Sequence, residues 1–98
     1  MSPVAGDVPI EIPDGWTLTE DGKRIEIRVE AEDFLHAVDL IQDIALLAEE
    51  HDHHPDVHLT SYKQLTVASW SHDVGGLSKR DEALAQAINE VLADAGVR

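Results

Sequence analysis

Five of the six histidines in this 98-residue chain, His51, His53, His54, His58 and His72, stand within a 22-residue stretch. Imidazole exchanges protons near neutral pH, with an ordinary pKa of about 6.5. A crowded set of this kind points to acid/base work or to a metal. For a metal, His51, His53 and His54 are close in sequence, but neighbours on an extended segment point to opposite faces, and the paired spacing of an H-E-x-x-H helix is absent. The chain has no cysteine. That excludes disulfides, thiolate metal sites, thiol nucleophiles and iron–sulfur clusters. No nucleophile elbow or phosphate loop is present, since Gly75-Gly76 lacks the lysine and the strand–loop–helix context of one. Three readings stay open on the residues alone: histidines that are merely solvated or hydrogen-bonded, a metal site, and general acid/base catalysis on a small organic substrate.

The flanking elements decide whether these histidines meet. Val57 and Leu59 mark a short strand over 57–60, and Leu65, Val67 and Ser69 alternate with Thr66, Ala68 and Trp70 over 65–71. A hairpin turn between Tyr62 and Lys63 then sets His72 opposite residue 53, within a residue or two, and brings His53-His54 and His72 to one end of the sheet. Ser78-Lys79-Arg80-Asp81 has the spacing of a helix capping box. It puts Asp81 on the first turn of a helix over 79–95, close to that same end.

Upstream, Glu20-Asp21-Gly22-Lys23 has the Asp-Gly signature of a tight turn between strands at Trp16–Thr19 and Arg24–Glu30. In the second of these, Ile25, Ile27 and Val29 alternate with charged residues. Residues 32–50 carry a helical apolar stripe of Phe34, Val38, Ile41, Ala45 and Ala48, widened by Ala37, Ile44 and Leu47. Pro55 requires that helix to have ended. Residues 1–14 hold Pro3, Pro9 and Pro13 and read as a flexible arm with an extended piece at 8–12. Residues 15–98 read as one domain. The order β-β-α-β-β-α predicts an α+β, two-layer fold, a four-stranded antiparallel sheet with both helices on one face. The four aromatics Trp16, Phe34, Tyr62 and Trp70 are expected in its core.

The balance of 7 basic against 20 acidic residues, a formal net charge of -13, argues against nucleic acid and anionic membranes as partners. No apolar run approaches the roughly 18 residues of a membrane span. With no secretory leader in view, a cytoplasmic address is expected.

The run Glu49-Glu50-His51-Asp52-His53-His54-Pro55, then Tyr62, Ser71-His72, Gly76-Leu77-Ser78 and Asp81 resembles the pterin-4a-carbinolamine dehydratases. Their signature is an acidic residue, three residues, His-His-Pro, an aromatic, then His and a later Asp. The resemblance covers about residues 16–93, and the six residues between Pro55 and Tyr62 are most similar to the bacterial and plastid branch. It implies a hydro-lyase that removes water from 4a-hydroxytetrahydropterin to give quinonoid dihydropterin, in tetrahydrobiopterin recycling. It also implies His53 and His72 as the acid/base pair, His54 as a pterin-binding residue, Glu49 and Asp81 in support, and no cofactor or metal. A homodimer or homotetramer is expected with it. Some members of the family act instead as dimerisation cofactors or in Rubisco assembly, so a non-catalytic binding module is the alternative.

Overall fold

The computed structural model describes residues 9–98. Strand β1 (Thr17–Leu18) and strand β2 (Ile25–Glu30) precede helix α1 (Phe34–His51); strand β3 (Asp56–Thr60), strand β4 (Gln64–Ser69) and helix α2 (Lys79–Asp94) follow. The strands form one antiparallel sheet in the order β1-β2-β4-β3. Sequential pairing makes two hairpin-like units, and α1 carries the chain from the first to the far edge of the second. As a result β4 lies between two neighbours and is the most buried strand, as Leu65, Val67 and Ser69 show. The hairpin register runs from Thr60 opposite Gln64 to Asp56 opposite Ala68. Its turn therefore centres on Tyr62, half a residue from the expected position, with Ser61 and Tyr62 both in the left-handed region.

Ile25, Ile27, Leu65 and Val67 point from the sheet into a core completed by Ala37, Leu40 and Ile44 of α1 and by Leu84, Ala85, Ile88 and Leu92 of α2. Both helices thus cover one face, which is the two-layer architecture expected. The other face carries Glu26, Arg28, Glu30, Asp56, His58 and Thr60, in step with the two-residue period of the strands.

Two expectations are corrected. The buried stripe of α1 is Ala37, Leu40, Ile44 and Ala48. Phe34 is 54% exposed and Val38 40%. The helix is rotated because Asp33 caps it, accepting from the backbone N–H of His36 at 2.8 Å, and because Leu40 fills the core better than the shorter valine. Of the four aromatics, Trp16 alone is fully buried; Phe34 and Tyr62 are exposed, and Trp70 is half-buried at the sheet end. The expected arm lies outside the described residues as far as Val8. From Pro9 to Asp14 the chain is tied to α2 rather than free: Ile10 is in the core, the Glu11 N–H donates to Glu82 Oε1, and Asn89 Nδ2 and Arg98 donate to the Asp14 carbonyl.

Candidate active site

The end of α1 sets the first pair of histidines. Asp52 closes the helix in the left-handed conformation, φ 49°, its N–H held by the Ala48 and Glu49 carbonyls. The next N–H, that of His53, donates to the Ala48 carbonyl at 3.0 Å. This reversal turns His53 inward, where it is only 8% exposed. Pro55 keeps His54 out of the helical region, and the His54 ring faces outward to Glu49, with Nε2 2.6 Å from Oε2.

The second part of the site follows β4. Ser71 pairs with Gly76 through two backbone hydrogen bonds, 2.7 and 3.2 Å long, closing a small loop around a 3₁₀ turn at His72–Val74. Gly75 ends that turn at φ 65°, a conformation in which a Cβ would be strained. The loop lifts His72 toward His53. A cavity of about 520 Å³ lies between them, lined by His53, His54, Trp70, His72, Asp73 and Arg80. That volume is within the range of small-molecule sites. Arg80 and Asp73 form an ion pair beside it.

Asp81 anchors the whole arrangement. It is fully buried on the first turn of α2 and accepts four hydrogen bonds. His53 Nε2 (2.7 Å) and Ser69 Oγ (2.5 Å) donate to Oδ1; Ser71 Oγ (2.8 Å) and the Ser78 N–H (2.9 Å) donate to Oδ2. Burial pushes its pKa up, but the donors Ser69, His53, Ser78 and Ser71 together outweigh burial, and the net shift is downward. The carboxylate is thus ionised at neutral pH and can only accept. It follows that the His53 nitrogen facing the carboxylate, Nε2, carries a hydrogen, which leaves Nδ1 as the ring nitrogen not engaged by Asp81. Each hydroxyl has one hydrogen. Ser71 spends its own on Asp81, so Ser78 Oγ donates to Ser71 across 2.7 Å and accepts from the Arg80 N–H. No buried polar side-chain atom among the described residues is left without a partner.

The structure brings together every residue expected at the site. His53, His54 and His72 line the cavity, Asp81 stands behind His53, and Glu49 holds His54. Tyr62, the aromatic of the expected signature, lies at the hairpin turn, the opposite end of β3–β4. His51 ends α1 and His58 lies on the exposed sheet face; neither lines the cavity. Sequence reasoning anticipated the Ser78 N–H through the capping box and missed the hydroxyls of Ser69 and Ser71 as donors. Ser69 and Ser71 are two residues apart on an otherwise apolar inward face, a spacing that small core residues also show. Among the described residues no three histidine or acidic side chains are grouped so as to hold a metal ion.

The chain is similar to known proteins over most of its length. The sequence profile described as "Pterin 4 alpha carbinolamine dehydratase" matches residues 7–91. A protein from Saccharolobus islandicus, provisionally named a pterin-4-alpha-carbinolamine dehydratase, is 40% identical over 77 residues, which cover 79% of this chain and 77% of that one. A crystal structure described as a transcriptional coactivator/pterin dehydratase from Brucella melitensis superposes with a TM-score of 0.74 at 28% identity, over 80% of this chain and 82% of that one. A pterin dehydratase-like protein described as a RuBisCO assembly factor in the alpha-carboxysome superposes at 0.67 with 14% identity, over 86% of this chain and 93% of that one; it shares the fold.

Proposed function

This chain belongs to the pterin 4 alpha carbinolamine dehydratase family, and from that premise we propose that it dehydrates 4a-hydroxytetrahydropterin to quinonoid dihydropterin. The reading rests on one observation: His53 and His72 face a common cavity, and a buried carboxylate fixes the tautomer of the first. In the reaction the C4a–O bond breaks, the N5–H proton leaves, and a C4a=N5 double bond forms. His53 Nδ1 takes the N5 proton, and the nearby Asp81 carboxylate stabilises the imidazolium that results. His72, protonated at the start, gives its proton to the departing hydroxyl, so that oxygen leaves as water. Solvent then resets the two imidazoles. His54, steadied by Glu49 at the cavity wall, binds the pterin.

The test is stopped-flow absorbance of 4a-hydroxytetrahydropterin decay. His53→Ala and His72→Ala should each lower the catalysed rate by roughly 10²–10⁴-fold, the span typical of a proton-transfer group. His54→Ala should mainly raise KM. His51→Ala and His58→Ala should be close to wild type, because neither lines the cavity. Activity abolished by EDTA would overturn the mechanism.

A second reading has an observation of its own. Helix α1 exposes Phe34, Leu35, Val38 and Leu46, with Leu35 at 73%. An apolar surface of this kind suits a protein partner, as in an assembly factor. Wild-type protein that fails to accelerate decay over buffer would favour this role. Self-association, as a homodimer or homotetramer, would cover the same face or the open edge of β3.

A further inference from the structure

The three histidines at the cavity are held in three different ways. His53 is gripped by a buried carboxylate and His54 by an exposed one. The ring of His72 meets no hydrogen-bonding partner among the described residues. What it meets is Trp70: the ring centroids are 4.0 Å apart, with the planes inclined at 42°. Trp70 in turn carries the Arg24 guanidinium 5.2 Å from its ring centroid, and Arg24 reaches Asp56 at 3.8 Å. A brace therefore runs from the edge strand to the catalytic end of the sheet.

The backbone explains why such a brace is needed. The bridge between Ser71 and Gly76 fixes the main chain of the His72 loop, but it leaves the exposed imidazole free to rotate about χ1 and χ2. A carboxylate would stop that rotation and occupy a ring nitrogen in doing so. An aromatic face stops it through contact and quadrupole attraction and occupies neither nitrogen.

We propose that Trp70 is the positioning residue for His72, holding the imidazole by ring contact so that its nitrogens stay free for proton transfer, with Arg24, the residue before β2, bracing the indole. The kinetic part of this proposal rests on the dehydratase reading; the structural part does not. Trp70 acts through His72 rather than by stacking on the pterin, and the two roles separate in the kinetics. A positioning residue controls kcat, whereas a stacking platform for substrate controls KM.

The experiment compares Trp70→Leu and Trp70→Phe with wild type by stopped-flow kinetics and by ¹H–¹³C spectra of the histidine rings, with His72→Ala used to assign the His72 signals. The Trp16 indole N–H, bonded to Asn89 Oδ1 at 2.9 Å, should keep its resonance in both variants, reporting an intact fold. In Trp70→Leu the His72 ring signals should lose their ring-current displacement, and kcat should fall by roughly 10–100-fold, as expected of a misplaced reactive group, with KM within about twofold. Trp70→Phe should recover most of both. Unmoved His72 signals in Trp70→Leu would overturn the proposal, as would a raised KM at unchanged kcat. If the wild type itself proves inactive, the dehydratase reading fails while the spectra alone decide whether Trp70 holds His72.

Discussion

Asp81 shows how one residue can serve folding and chemistry together. One carboxylate oxygen closes the capping box at the start of α2, and the other holds the ring of His53. Asp81→Asn keeps the shape but puts an amide N–H₂ against at least one of the groups that now donate to it. Buried donors without acceptors cost about 1–3 kcal/mol each, so the variant should lose at least about 1–3 kcal/mol of stability and most of its activity. Urea unfolding and the decay assay measure the two losses. The lowered pKa of Asp81 also sets a pH dependence. The unfolded chain binds this proton at about pH 4, before the folded chain does. The contribution is therefore complete at neutral pH and is lost as pH falls below about 4 and through the depressed native value. Asp81→Asn should flatten the acid limb of the stability curve; an unchanged acid limb would show that other carboxylates control it. The convergence of His53, His54 and His72 with Asp81 was legible from type and spacing, and Glu49 entered only through the family resemblance. The serine hydroxyls were not legible, because a hydroxyl on an inward strand face has no pattern distinguishing it from an ordinary small core residue.

At the scale of elements, strand alternation and the Asp-Gly, His-Pro and Gly-Gly breaks located every strand and helix to within about two residues. The facing of α1 escaped because its apolar residues extend almost all the way round, with Leu35, Val38 and Ile41 competing with Ala37, Leu40 and Ile44. Periodicity cannot rank two stripes of similar strength; the Asp33 cap and the sheet surface do. The rotation is testable. Leu40→Ala should cost about 2–5 kcal/mol, the range for a buried leucine. Val38→Ala should cost well under 1 kcal/mol in the isolated chain, as surface changes do. Equal losses in thermal unfolding would mean that the helix faces the other way.

The whole molecule places its cavity at one end of the sheet and its exposed apolar stripe along α1, which carries no lysine or arginine. A stripe of this kind on a chain with a net charge of -13 sets attraction between apolar faces against repulsion between the molecules. We expect the attraction to win at moderate ionic strength. Light scattering at micromolar concentration should then give a multiple of the chain mass, and Val38→Glu should shift it toward one chain. A monomer at all salt concentrations would exclude self-association. The capping box has a further consequence, for descent. A lineage that gave up dehydration would be free to alter His72, whose loop is closed by backbone bonds, and His54, which faces solvent. It could not easily alter Asp81, because helix α2 begins on it. The aspartate would outlast the activity, so its presence in a relative would record ancestry, while under the proposed mechanism the pair His53 and His72 would record whether the reaction is still performed.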